Sequence, residues 1–298
     1  TDDEADDSAD DGITQAYTLQ VASKDEVNKL WQSTEITQRS QVEKACLSLP
    51  DGGNIILMAQ HRIGFGRSRD RDIVVRFLPR SADNDAKSRN LSRLHCVATI
   101  LDEGIEFQDK SSSGIEVNLE PVRESFRLKP ETFHAETELA LGAMLSSKQL
   151  KLRLVPLESH PHSAVYRKER RRLTSFANTS HLRWGKLWSV AHQLKLDAIR
   201  IERDNNLNEE QYIVICQQAT IGSSDSKCAI VVKGTPKIAA RLLYINRTFW
   251  LNKAVGNWEV SVDGHSLANN EMVPLSPEQE IDIDGIKITF AAHAQLHL

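Results

Sequence analysis

From Asn54 onward the chain consists of short apolar runs separated by polar or glycine-bearing turns, and this texture returns after Leu196. Ile55-Ile56-Leu57-Met58, Ile73-Val74-Val75, Cys96–Leu101 and Gly104–Phe107 come first. Leu150–Val155 then alternates apolar and basic residues with a period of two. Such alternation sends successive side chains to opposite faces of a strand. Many short strands with frequent turns predict an antiparallel β-sandwich. In the second stretch Asp197–Arg203 alternates, Tyr212–Cys216 is nearly all apolar, and Ile281–Phe290 reads as a closing hairpin. The two stretches predict an internal repeat of about 100 residues.

The flanking segments have a different texture. Residues 1–12 carry seven acids and no base, and are expected to be a disordered acidic tail. The whole chain holds 41 acids and 37 bases, so without this tail the balance is about +3 rather than −4. Residues 13–51 are expected to be partly helical. Ser23-Lys24-Asp25-Glu26 is a capping-box pattern ahead of Val27, Leu30 and Trp31, and Val42, Ala45, Cys46 and Leu49 repeat helical spacing. Residues 158–195 read as a partly helical connector with a basic run, Arg167–Arg172, and an apolar stripe of Trp184, Leu187, Trp188 and Ala191. Within 298 residues this leaves two domains, 52–157 and 196–298.

The remaining bulk features narrow the function classes. No run of 18 apolar residues exists, so no membrane span is expected. The chain begins at Thr1 and shows no secretory apolar region, which reads as a fragment whose true N-terminus is hidden. Cys46, Cys96, Cys216 and Cys228 form no Cys-x-x-Cys pair, and are expected to be buried thiols of a reducing, cytoplasmic compartment. No phosphate-binding glycine loop, dinucleotide fingerprint, His-Glu-x-x-His or Gly-x-Ser-x-Gly occurs. An enzyme is therefore not expected, and neither is a cofactor or a metal.

Four short motifs punctuate the first repeat: Gly66-Arg67-Ser68, Ser92-Arg93-Leu94-His95, Asp109–Gly114 and Val117-Asn118. Arginine offers a planar fork of donors that matches phosphate oxygens and stays charged. Hydroxyls and a tight glycine turn add further donors. In this order and spacing the motifs resemble the phosphothreonine-reading loops of the forkhead-associated (FHA) domain. That resemblance implies an all-β fold of two FHA-type antiparallel sandwiches. It implies phosphopeptide contacts from Arg67, Ser92, Arg93, Ser112 and Ser113. It also implies that Gly66, His95, Gly114 and Asn118 support the site. Two departures stand out: Ser113 takes the place of an asparagine that contacts the peptide backbone, and Ile115 that of a threonine. A third is the long loop Leu78–Asn90 between Arg67 and Ser92.

The second repeat keeps the frame and loses the reactive letters. Ser223 follows Gly222 where arginine is expected. The register read from the sequence sets Ala239-Ala240 against Ser92-Arg93, and Leu242 against His95. A phosphate without a cationic partner is unfavourable, so this copy is expected to be structural or a docking module. The resemblance thus implies an adaptor that recognises phosphothreonine on partner proteins downstream of a serine/threonine kinase. The alternative is an interaction module with no phosphate recognition. Nucleic acid and membrane partners are not expected.

Overall fold

The computed structural model describes residues 43–77, 81–122, 124–129, 136–142, 149–158, 196–203, 211–245 and 247–292. The acidic tail, the helix expected after Ser23 and the connector stripe at Trp184–Ala191 lie outside the described residues. Among the described residues the structure is all-β, with one short helix.

The first half runs β1 (Lys44–Ser48), β2 (Asn54–Met58), β3 (Arg62–Gly66), β4 (Ile73–Val74), α1 (Ala82–Arg89), β5 (Cys96–Leu101), β6 (Gly104–Asp109), β7 (Ile115–Val117), β8 (Glu120–Val122), β9 (Ser125–Leu128), β10 (Thr137–Leu141) and β11 (Leu150–Glu158). The second runs β12 (Leu196–Arg203), β13 (Gln211–Ile215), β14 (Ala219–Gly222), β15 (Ile230–Val231), β16 (Ala240–Ile245), β17 (Thr248–Lys253), β18 (Val260–Val262), β19 (His265–Ser266), β20 (Met272–Pro274), β21 (Gln279–Ile283) and β22 (Ile286–Ala292). Each half contributes a five-stranded sheet of the same internal order, β4-β3-β5-β6-β9 and β15-β14-β16-β17-β20.

The other strands form one twelve-stranded sheet, β19-β18-β21-β22-β1-β2-β13-β12-β11-β10-β7-β8. Its two ends mirror each other, but the opening hairpins are exchanged. β11, the last strand of the first half, pairs with β12 of the second. β22, the last strand of the second half, pairs with β1 of the first. The exchanged hairpins meet in a parallel seam, with Gln211 to Val214 beside Ile55 to Met58. Hydrogen-bonded sheet therefore crosses the boundary that the sequence drew between the two repeats.

Two apolar cores follow from this sheet. Ile63, Phe65, Ile100 and Phe107 of the first half pack with Leu139, Leu152, Ile199 and Val214. Ile221, Leu242, Phe249 and Leu251 of the second half pack with Ile281, Phe290, Leu47 and Ile213. The central strands feed both. In β1 and β2, Cys46, Ile56 and Met58 face the first core, while Ala45, Leu47, Ile55 and Leu57 face the second.

This corrects the reading of the stretch before Pro50, where Ala45, Cys46 and Leu49 were expected at helical spacing. Ala45–Leu47 is strand, and all three of its residues are fully buried. A strand covered on both faces shows no alternation, so its apolar run mimics one side of a helix. All four cysteines are buried and none is in a disulfide.

Candidate functional site

The arginine motif sits where β3 ends. Gly66 is needed there because a Cβ would lie 2.0 Å from the carbonyl oxygen of Arg93. That close approach lets two backbone bonds form across the motifs. Arg67 N–H donates to the Ser92 carbonyl at 3.1 Å, and Ser68 N–H to that of Arg93 at 3.4 Å. The Arg67 side chain is half-buried, and its Nε is shielded from solvent without a hydrogen-bond partner among the described residues. Arg93 is exposed.

His95 joins the serine motifs from beneath. It is fully buried. Burial pushes its pKa below the ordinary histidine value, against smaller opposing effects of the Gly114 carbonyl and Asp109. The ring is accordingly neutral, and its hydrogen bonds fix the tautomer. Ser92 N–H donates to Nδ1 at 3.1 Å, so the proton sits on Nε2, which donates to the Gly114 carbonyl at 3.2 Å. Gly142 N–H lies 3.2 Å from the same Nε2 and 2.9 Å from that carbonyl; with the proton on Nε2, it is the carbonyl that accepts from it. One imidazole thus holds both the turn bearing Ser92 and the turn bearing Ser112.

The serine turn is built from its own side chains. Ser111 N–H donates to Asp109 Oδ1 and Gly114 N–H to Ser111 Oγ, both at 2.8 Å. Gly114 has φ 75°, a left-handed conformation that suits glycine. Ser112 is exposed, and its N–H reaches Ser92 Oγ at 3.4 Å. Ser113 is 5% exposed, and its hydroxyl has no partner among the described residues. The structure therefore brings Arg67, Ser92 and Ser112 together around one rim and turns Ser113 inward. Asn118 lies at the β7–β8 turn with φ 52°, and its Oδ1 accepts from Glu138 N–H at 2.9 Å. Its side chain braces β10.

Two features escaped the sequence reading. Arg76 Nη2 donates to the Arg67 carbonyl at 3.4 Å, placing a further cation behind the motif. The long loop also carries α1. Ser81 caps it by accepting from Asn84 N–H, with Asp83 and Asp85 in its first turn and Lys87 and Arg89 in its last. The helix lacks an apolar face, which hid it, but the cap and charge order were readable. Buried Ser88 Oγ accepts from Phe77 N–H at 2.8 Å, and buried Leu91 anchors the chain one residue before Ser92.

The second half repeats this backbone with a different register from the one expected. Ala239 N–H donates to Ile221 O at 2.8 Å, as His95 N–H does to Phe65 O at 2.7 Å. Ser223 N–H reaches Pro236 O, and Ser224 N–H reaches Lys237 O. Pro236, Lys237 and Ala239 therefore stand where Ser92, Arg93 and His95 stand, rather than Ala239, Ala240 and Leu242. With no motif letters to anchor it, one strand-like stretch aligned as well as its neighbour three residues away. The indole of Trp258 folds against Gly256, and its Nε1 donates to the Ala239 carbonyl at 3.0 Å. It occupies the turn where the first half has its serines.

No protein family and no curated protein matches the chain by sequence. Among solved structures it is similar to the MEK1 FHA domain in complex with the HOP1 pThr318 peptide, at 15% identity and TM-score 0.24 over 27% of this chain and 84% of that one. It is similar to the N-terminal FHA domain of S. cerevisiae Rad53p in complex with a phosphothreonine peptide, at 16% and 0.24 over 27% and 71%. It is also similar to the cytoplasmic domain of the T3SS sorting platform protein PscD from P. aeruginosa, at 15% and 0.23 over 26% and 64%.

Proposed function

We propose that this chain is a non-enzymatic adaptor that binds phosphothreonine on partner proteins through an FHA-type site in its first half. The observation that carries this reading is Arg67, whose buried Nε has no partner among the described residues, on a turn hydrogen-bonded to that of Ser92, which in turn meets Ser112. A shielded Nε without a partner is a donor held ready for an anion. Arg67, Ser92 and Ser112 supply the phosphate contacts. Arg93, exposed at the rim, meets the flanking peptide. Ser113 offers its orphaned hydroxyl only from beneath the turn. Gly66, His95, Gly114 and Asn118 hold the geometry.

The domain assignment in this reading is 52–157 for the binding unit and 196–298 for the degenerate copy, with the exchanged hairpins locking the two together. The second copy serves as a scaffold. Phosphothreonine partners imply a serine/threonine kinase in the same cytoplasmic compartment, and buried cysteines outside disulfides suit such a place. Among the described residues no helix is long and apolar enough to cross a membrane.

The experiment is a phosphothreonine peptide library followed by calorimetry on the selected peptide. Each charge-assisted bond contributes about 1.5–3 kcal/mol, and a phosphate held by several of them gives a dissociation constant on the order of micromolar. Arg67→Ala is expected to weaken binding at least about a hundredfold, since a bidentate arginine makes two such bonds. Equal affinity of the two proteins rejects the reading in favour of an interaction module that ignores phosphate.

A further inference from the structure

The arginine loop is moored to a strand that pairs with the last strand of the second half. Asp72 closes the loop that starts at Arg67. Its Oδ2 accepts from Gly64 N–H at 2.6 Å, two residues before Gly66. Its Oδ1 meets Lys44 Nζ at 2.7 Å. Both side chains are about three-quarters buried, at 23% and 24% exposure. Lys44 opens β1, the strand whose next four residues pair with Ala292, Ala291, Phe290 and Thr289 of β22. The same strand sends Leu47 into the second core beside Phe290. A short chain of contacts therefore runs from the second core through β1 and Lys44 to Asp72 and the Arg67 loop.

The charges support this mooring. Burial raises the Asp72 pKa, but the Lys44 ammonium and the Gly64 N–H more than offset it, so the carboxylate titrates below its usual value and stays ionised. An ionised, partly buried carboxylate that loses its cation has a strong reason to leave its place. Moving Asp72 releases Gly64 N–H, and with it the end of β3 that sets the Gly66–Arg93 contact.

We propose that Lys44 and Asp72 are positioning residues for the phosphate site, through which the docking of β1 on the second half tunes phosphopeptide affinity in the first. This rests on the function proposed above. The second half is then more than a scaffold: it sets the fraction of molecules in which the Arg67 loop is formed. Coupling of this kind is reciprocal, so phosphopeptide in turn tightens β1 against β22.

The test uses the full chain as wild type, Lys44→Met, Lys44→Arg and Asp72→Asn. Affinity is measured for the phosphothreonine peptide selected by wild type, and backbone amide exchange is followed without peptide. Lys44→Met and Asp72→Asn are expected to weaken binding about fivefold or more, with Lys44→Arg within about twofold of wild type. Exchange should quicken at Gly64–Asp72 in Lys44→Met while β5 keeps its protection, and peptide should slow exchange in β1 and β22 of wild type. Unchanged affinity in Lys44→Met overturns the proposal. So does an equal loss in Lys44→Arg. If Lys44→Met loses β5 protection as well, Asp72→Asn decides, and wild-type affinity there overturns the proposal. If wild type binds no phosphothreonine peptide, the function reading falls, and exchange at Gly64–Asp72 still decides whether Lys44 holds the loop.

Discussion

The two halves share a backbone and differ at the spots where charge or hydroxyl is exposed. The turns at Asn118 and Asp263 show how close the frames are. Both residues have positive φ, 52° and 50°, and both side-chain oxygens accept from a glutamate N–H at 2.9 Å, Glu138 or Glu280. Where the first half has Arg67, Ser92 and His95, the second has Ser223, Pro236 and Ala239. A buried imidazole organises one rim; an indole fills the other. The frame is thus sustained by main-chain bonds and apolar burial, and the arginine, serine and histidine side chains of the first rim are an addition that the second half lacks.

The strongest way to break this comparison is to part the halves. Reading residues 196–298 as a domain of their own predicts that they fold alone. The structure predicts otherwise, because that fragment loses β1 and β2, and with them the partner of β22 and the contribution of Ala45, Leu47, Ile55 and Leu57 to the second core. Fragment and whole chain should differ by the whole unfolding transition in circular dichroism, and a cooperative melt of 196–298 would refute the shared sheet.

Next in size is the glycine pair. Gly66→Ala drives a methyl into the Arg93 carbonyl, and Gly222→Ala does the same at Lys237 O, 2.4 Å away. Each is expected to cost about 3 kcal/mol in chemical denaturation. Only Gly66→Ala should abolish phosphopeptide binding at a temperature where both variants are folded. Equal losses of binding would mean that the halves cannot be told apart in function.

A smaller effect separates them by pH. His95 has a folded pKa below its unfolded value, so its neutral form adds stability above about pH 6.5. That stability is lost as pH falls from there through the folded pKa. His95→Gln should flatten this part of the melting curve against pH, and a curve identical to wild type would show that the ring does not titrate with unfolding. Ala239→His, the reverse change, should not create phosphopeptide binding, since Ser223 stands in the place of Arg67 and Pro236 in that of Ser92. A gain of affinity there would count against the role given to Arg67.

The smallest expected effect is at α1. Ser81→Ala removes the cap and should cost about 1 kcal/mol of local stability, seen as faster amide exchange over Ala82–Arg89. A change in β16 exchange would contradict the separation of the two rims.

Much of this was legible. The motif letters singled out Arg67, Ser92, His95 and Ser112, and the structure sets them on adjoining turns linked by hydrogen bonds. Strands with one covered face, such as β11, announced themselves by alternation. What stayed hidden is what depends on partners far along the chain. β1 is apolar on both faces because two cores use it, and no local period records that. The Lys44–Asp72 contact joins the first residue of β1 to the loop after Arg67, with nothing in either segment to point at the other. The register of the second half slipped because Ala239, Ala240 and Leu242 carry no chemistry to pin them.

The parallel seam of β2 and β13 also bears on how this molecule behaves in a crowd. A hairpin's outer strand offers a ladder of unpaired amides to any extended chain that drifts past. Here the two longest candidates have closed on each other. What remains at the rims of the great sheet is β8, three residues long and interrupted by Pro121, and β19, two residues long. Neither is long enough to template a neighbour, and proline withholds the amide that templating requires. The protein can therefore carry a continuous sheet of twelve strands without seeding fibrils from its ends.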